Sequence, residues 1–351
     1  MSTSSERAGK CIRVLIVDDS AAYRGLLGKL LARHPQFILV GEAASAAEAR
    51  AAIKALHPDV LTLDVEMPGM SGLVFLEHLM RLHPLPVVMV SAAARQNADV
   101  ILSAMALGAV DFVLKPDGAD AAVLAEFERR LVATLRVAAF AQPRRAAVSP
   151  LPAALACPAR PDRLIAVGAS TGGTEAIRAL LCGLGAHSPP VLVVQHLPDS
   201  FVPAFIDRLD RACALRVRAA VEDEVLRPGH VYLSPGDVHL AVARQDGQLV
   251  VRLLDCDRVN FHRPAVDVLF QSVACTAAPC AIGVLLTGMG KDGAAGLAAI
   301  RTGGGYAIAQ SERSCVVFGM PREAILLDAV DAILDLQDIP AALAQLIAAP
   351  G

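Results

Sequence analysis

The sequence predicts an α/β protein of two domains, each a parallel sheet covered by helices. Three observations carry that expectation. Short apolar runs ending in polar side chains alternate with segments of helical periodicity in both halves of the chain. At 351 residues the chain exceeds the length at which a single core stops growing. A stretch with prolines at 143, 150, 152, 158 and 161 lies between the halves and reads as a semi-extended tether. The expected divisions are therefore 1–140, 141–162 and 163–351.

In the first half, residues 11–17 form an apolar run that ends in Asp18, Asp19 and Ser20, after which Tyr23, Leu26, Leu27, Leu30 and Leu31 recur at helical spacing. Residues 37–41 read as a strand and 46–56 as a helix. Three more strands, 60–63, 86–90 and 111–114, run into Asp64, Ser91 and Lys115, and 121–140 has the periodicity of a closing helix. Parallel α/β sheets gather reactive groups at the carboxyl ends of their strands, so Asp18, Asp19, Asp64, Ser91 and Lys115 are expected on one rim. Three crowded carboxylates repel one another unless a divalent cation sits among them, and oxygen ligands suit Mg²⁺. A lysine and a hydroxyl beside them suit an incoming phosphoryl group. Each residue taken singly reads better as a solvated loop acid or a helix cap, and it is the five together at strand ends that point to a site.

The second half opens on an apolar strand that breaks at Gly168-Ala169-Ser170-Thr171-Gly172, a G-x-S-x-G spacing, before a helix over 175–181. Glycines there allow a turn sharp enough to expose the serine hydroxyl at a helix N-terminus, although such a turn also serves as a plain cap. Strand 190–195 ends in His196, and strand 280–287 opens into a glycine loop carrying Met289 and Asp292. Residues 227–240 read as strand, turn and strand. Serine is a weak nucleophile at neutral pH; His196 would take its proton and Asp292 would fix the imidazole tautomer. Amides near Met289 and Thr171 are candidates to hold the oxyanion. The chain order Ser, His, Asp differs from that of ordinary α/β-hydrolases. A dinucleotide cradle would need G-x-G-x-x-G and an acid at the end of the next strand, and neither is present. Asp237, His239 and His262 read as structural or rim residues, since no metal-ligand set assembles around them.

Bulk properties exclude other classes. Hydrophobic residues make up 54% and charged residues 19%, which argues against a disordered chain, and a net charge of -3 gives no signal for nucleic acid. Residues 1–10 carry no apolar signal-peptide core and no apolar run is long enough to span a membrane, so a cytoplasmic protein without membrane insertion is expected. Eight cysteines without a C-x-x-C pair read as reduced, mostly buried thiols.

Over residues 11–135, Val17-Asp18-Asp19-Ser20, Leu63-Asp64-Val65-Glu66-Met67-Pro68, Val90-Ser91-Ala92 and the run from Gly108 to Pro116 resemble the receiver domain of two-component response regulators. The resemblance implies a flavodoxin-like doubly wound sheet. It also implies Asp64 as phosphoacceptor from a CheA-type histidine kinase, Mg²⁺ held by Asp18, Asp19, Asp64 and the carbonyl of Glu66, and switch roles for Ser91 and Lys115. The turn at Ser170, Gln195-His196, the 227–240 and 261–270 stretches, Thr287 to Gly293 and Gly319 to Ala324 resemble the catalytic domain of the chemotaxis protein-glutamate methylesterase (CheB) family, which implies a Rossmann-like α/β esterase domain. By that resemblance Ser170, His196 and Asp292 form the triad and the Met289 amide contacts the oxyanion. The implied substrate is the glutamate methyl esters, and in many members also glutamines, of methyl-accepting chemoreceptors, with no cofactor in the esterase domain. Ala265 in place of a common serine, and Ser311-Glu312 in place of Asp-Glu, depart from the family pattern outside the triad. Domain order implies gating, in which phosphorylation of Asp64 relieves a block on the esterase. A receiver-controlled serine hydrolase acting on a non-chemotaxis protein or small ester is the alternative, and a catalytically silent adaptor is a third.

Overall fold

The computed structural model describes residues 11–92, 98–116, 118, 120–141 and 163–348, which divide into two units on either side of the gap after residue 141. The proline-rich stretch, apart from Ala141, lies outside the described residues. The first unit runs β1 (Ile12–Val17), α1 (Ala21–Leu31), β2 (Phe37–Ala43), α2 (Ala46–Leu56), β3 (Val60–Asp64), α3 (Gly72–Leu82), β4 (Val87–Ser91), α4 (Ala98–Leu107), β5 (Asp111–Leu114) and α5 (Ala121–Ala138). Its five strands are all parallel, in the order β2-β1-β3-β4-β5. Every residue of β3 and β4 is buried, as expected of central strands covered on both faces. Side chains of Ser20, Ser45, Ser71 and Asp120 accept from the first-turn amides of their helices, which fixes each helix start just past a strand end or loop.

The second unit runs β6 (Leu164–Ala169), α6 (Gly173–Cys182), β7 (Val191–Gln195), α7 (Val202–Ala212), β8 (Arg216–Ala219), β9 (His230–Leu233), β10 (His239–Gln245), β11 (Gln248–Leu254), α8 (Val266–Ala277), β12 (Ala281–Leu285), α9 (Ala294–Thr302), β13 (Tyr306–Gln310), α10 (Met320–Leu326), β14 (Ala332–Leu334) and α11 (Ile339–Ala348). Seven strands form a parallel sheet in the order β14-β13-β12-β6-β7-β9-β8. The chain winds outward from β6 through β7 and returns to β6's other side with β12, so the strand order reverses between β6 and β12. Such a reversal opens a crevice at the carboxyl ends of the two strands, which is where ligands bind in open α/β sheets. Outside this sheet, β10 and β11 form an antiparallel hairpin whose Leu240, Val242 and Val251 join Val266, Leu269, Phe270 and Val273 of α8 in one buried cluster.

Close backbone approach sets the turn after β6. A Cβ on Gly168 would lie 2.2 Å from Val266 Cγ1, and Gly172 holds φ 75, in the left-handed region. Among the described residues no helix is long and apolar enough to cross a membrane. The expectation of mostly buried thiols is corrected: of the seven described cysteines only Cys182 and Cys315 are buried, whereas Cys11, Cys256 and Cys275 are exposed. Cys275 lies on the outer face of α8, and Cys11 and Cys256 lie beyond strand ends, where an apolar neighbourhood in sequence does not mean burial.

Close packing of β3 against α3 gives a stability test. A Cβ on Gly72 would lie 1.9 Å from the Asp64 carbonyl oxygen, while Gly25, inside α1, has nothing within 4 Å of its own. Gly72→Ala is expected to cost about 1–3 kcal/mol, and Gly25→Ala to stabilise by about 0.5–1 kcal/mol, as read from thermal or urea unfolding of the full chain.

Candidate active site

Ser170 follows β6 directly, and its amide donates to the carbonyl of Thr287 beyond β12, at 3.0 Å. Register pairs Ala169 with Gln195, so Ser170 and His196 are the next residues on neighbouring parallel strands. The His196 amide donates back to Ala169 O at 3.2 Å. Gln195 ties the two turns together, since its Nε2 donates to Ser170 O at 2.9 Å and to His196 O at 3.3 Å. Thr287 ties the third strand in: its hydroxyl lies 3.0 Å from the Thr171 carbonyl and 3.2 Å from that of Val317, so its one proton serves either, and it accepts from the Val317 amide at 3.0 Å. A Cβ on Gly288 would lie 2.8 Å from Ser170 Cβ, so only glycine lets the loop carrying Met289 pass this close to the serine. Met289 is itself half-buried, and its amide donates to no acceptor among the described residues.

Asp292 reaches back from this loop to His196, with 2.8 Å between His196 Nε2 and Asp292 Oδ2. The carboxylate also accepts from Val266 N at 2.6 Å, Asp267 N at 3.1 Å and Asn260 Nδ2 at 2.8 Å. Burial pushes the Asp292 pKa up, but the His196 hydrogen bond and charge, Asn260 and the Val266 amide outweigh it and hold the carboxyl below its ordinary value. An ionised carboxylate can only accept, so His196 Nε2 carries a proton, and in the neutral ring the lone pair is on Nδ1. That Nδ1 is buried and has no hydrogen-bond partner among the described residues; the Ser170 hydroxyl has none either. Imidazole and carboxylate are thus engaged, while the hydroxyl and the base lie at adjacent strand ends without a bond between them.

Four residues at this site are given no catalytic part by the sequence reading. His262, read as a rim residue, stacks its ring on that of His196, with centroids 3.7 Å apart and planes inclined by 7°. Asn260 bridges Asp292 and Asp267, donating to Asp267 Oδ2 at 2.7 Å. Asp267 is buried, and desolvation raises its pKa despite the amide of Gly296 and the side chain of Asn260. Gln195 is the strut described above. Gln195-His196 and the Phe261 to Phe270 stretch, which holds His262 and Asp267, carry the resemblance without assigning these residues a part, and Asn260 lies outside both. Asp237 and His239 keep structural parts: Asp237 pairs with Arg263 at 2.7 Å, and His239 Nδ1 accepts from the Ala265 amide at 3.1 Å.

In the first unit the expected rim assembles. Carboxylate oxygens of Asp18, Asp19 and Asp64 lie within 4.8 Å of one another. Lys115 Nζ is 2.8 Å from both Asp18 Oδ2 and Asp64 Oδ2 and 4.4 Å from the centre of the Tyr23 ring. Burial raises the Asp64 pKa in spite of Lys115, whereas the two aspartates raise that of Lys115 against its own burial. One ammonium therefore faces three carboxylates, a set of hard oxygen donors with negative charge left over, which fits a divalent cation. Ser91 is buried at the end of β4, and the exposed Glu66 directs its amide to Asp64 Oδ1 at 3.4 Å.

Comparison with known proteins matches residues 165–343 to the CheB methylesterase family and 14–125 to the response regulator receiver domain. A protein-glutamate methylesterase/protein-glutamine glutaminase of Chromohalobacter salexigens is 49% identical over 345 residues, 97% of each chain. One of the same name from Bordetella parapertussis is 49% identical over 338 residues, 94% of this chain and 95% of its own. The crystal structure of the Thermotoga maritima CheB methylesterase catalytic domain superposes with a TM-score of 0.52 at 37% identity, covering 52% of this chain and 98% of that one.

Loss of the Asn260 bridge tests the electrostatics of the site. Asn260 lowers the pKa of Asp267, whose folded value is already raised, so removing it disfavours the ionised Asp267 further. Ionisation then costs folding free energy that protonation spares. Asn260→Ala is expected to destabilise by about 1–3 kcal/mol, with the loss growing as pH rises through the carboxylate range, measured by urea unfolding at acid and neutral pH.

Proposed function

Since the chain belongs to the CheB methylesterase family, with a receiver domain ahead of the catalytic one, we propose that Ser170, His196 and Asp292 hydrolyse glutamate methyl esters on the cytoplasmic helices of chemoreceptors. The activity is that of a protein-glutamate methylesterase and protein-glutamine glutaminase under receiver control. The observation that carries the residue assignment is the His196–Asp292 pair, poised with an unengaged Nδ1 at the strand end beside Ser170.

With Nε2–H pinned by Asp292, Nδ1 is the nitrogen that takes the Ser170 proton as the oxygen attacks the ester carbonyl. The carbonyl oxygen gains charge in the tetrahedral intermediate, and the uncommitted Met289 amide donates to it; the turn at Thr171, at the start of α6, supplies the second candidate donor. His196 then returns its proton to the departing methoxide, methanol leaves, and the acyl group stays on Ser170. A water molecule deprotonated by Nδ1 repeats the attack, releasing glutamate and the free serine. With a glutamine side chain the same sequence expels ammonia.

At the other rim, Asp64 is the phosphoacceptor, supplied by a CheA-type histidine kinase. Asp18, Asp19, Asp64 and the carbonyl of Glu66 would hold Mg²⁺, which neutralises charge on the transferred phosphoryl group. Lys115 contacts the phosphoryl oxygens, and the hydroxyl of Ser91 reports the phosphorylated state to the rest of the receiver. The domain limits of this proposal are 1–140 for the receiver, 141–162 for the tether and 163–351 for the esterase.

Ser170→Ala is expected to abolish methanol release from methylated receptor membranes and labelling by a fluorophosphonate, with phosphorylation of Asp64 by a small-molecule phosphodonor intact. Asp64→Asn is expected to keep basal methanol release and lose its stimulation by the phosphodonor. Methanol release that survives Ser170→Ala at the wild-type rate removes the assignment.

A further inference from the structure

One hydrogen bond leaves an imidazole under-determined. The Cβ–Cγ torsion of histidine is a broad, soft coordinate, and the contact from His196 Nε2 to Asp292 fixes one ring atom without fixing the tilt of the ring about it. The direction of the Nδ1 lone pair depends on that tilt. Across the flat face of His196 lies a second ring, His262, at 3.7 Å and nearly parallel.

The segment that presents His262 is built to hold it there. Val259 and His262 exchange backbone hydrogen bonds at 3.0 and 2.9 Å around Asn260 and Phe261, whose φ values are 53 and 68. Two successive left-handed residues make the tightest kind of hairpin turn, a conformation natural for asparagine and strained for phenylalanine. Phe261 gains no burial in compensation, being 81% exposed. The turn is fastened on both sides. Asn260 donates to Asp292 and Asp267, and the Arg263 guanidinium pairs with Asp237 at 2.7 Å and Asp255 at 2.9 Å. One short turn therefore touches both members of the His–Asp pair, gripping the acid through Asn260 and the base through His262.

We propose that His262 is a positioning residue for the esterase reaction: its ring clamps the plane of His196 and so restricts where Nδ1 can turn at the strand end beside Ser170. The inference rests on the triad reading above. It concerns no bond made or broken at His262. When His196 takes up the serine proton it becomes a cation lying against a second aromatic ring. The flat face is what matters, so phenylalanine should replace histidine and a flexible side chain should not.

The test compares His262→Ala, His262→Gln and His262→Phe in the full chain, with Ser170→Ala alongside. Methanol release from methylated receptor membranes gives kcat and KM, and the rate of fluorophosphonate labelling reports the reactivity of Ser170 without receptor. His262→Ala and His262→Gln are expected to lower kcat and the labelling rate about tenfold to a hundredfold, with KM and the melting temperature held. His262→Phe is expected to stay within about threefold of the unaltered protein, since its ring offers the same face. Should His262→Ala fail to fold, the Gln and Phe variants carry the comparison alone. Unchanged kcat in the Ala and Gln variants, a loss confined to KM, or a Phe variant as impaired as the Gln variant would each overturn the proposal. Activity retained by Ser170→Ala would instead overturn the triad reading on which it rests.

Discussion

A carboxylate buried to 2% exposure and held by four donors is the constraint on which the second unit's chemistry depends. Asp292 lies in a low-dielectric setting where an unpaired charge would be costly, and the amides of Val266 and Asp267, the side chain of Asn260 and the imidazole of His196 together keep it ionised. Two of those donors are the first amides of α8, so a helix N-terminus contributes its dipole as well as its hydrogen bonds. Because the carboxylate only accepts, it dictates which imidazole nitrogen carries the proton. The fold thus sets the tautomer, and the tautomer leaves the base on the nitrogen without a partner.

Topology explains how residues scattered along the chain come to share this site. Strand order reverses between β6 and β12, and the crevice that opens there collects the turn after β6, the loop after β12 and the neighbouring end of β7. The first unit applies the same rule to different chemistry. Its β1, β3 and β5 deliver Asp18, Asp64 and Lys115 to one rim, where three carboxylates and one ammonium form a set of hard donors that suits a divalent cation. Two sheets of one architecture therefore carry a receiver domain and a methylesterase domain, and what distinguishes them is the short list of side chains at their strand ends.

Much of this was legible because apolar runs ending in a charged or hydroxyl residue mark buried parallel strands and their reactive ends together. The helix Ala46–Leu56 and the strand Asp111–Leu114 match the sequence reading residue for residue. The closing helix stops at Ala138, two residues short of the expected end, and β2 runs two residues further, shifts of the size that fraying ends produce. What stayed hidden depends on contacts without local periodicity. The hairpin of β10 and β11 was read only in its first strand, and the short edge strands β8 and β14 carry too few apolar residues to declare themselves. His262 looked like a rim residue because nothing in Phe261-His262-Arg263-Pro264 says that its ring will meet one 66 positions away. Asn260 and Gln195 were missed for the same reason: each acts through a tertiary hydrogen bond to a residue it does not neighbour in sequence.

The central claim is a protonation pattern, and nitrogen NMR of the imidazole reads it directly. With His196 selectively labelled in the full chain at neutral pH, the account predicts a protonated Nε2 and an unprotonated Nδ1, with this preference lost in Asp292→Asn. A resting ring protonated on Nδ1, or one that exchanges freely between the two tautomers while Asp292 is intact, would contradict it.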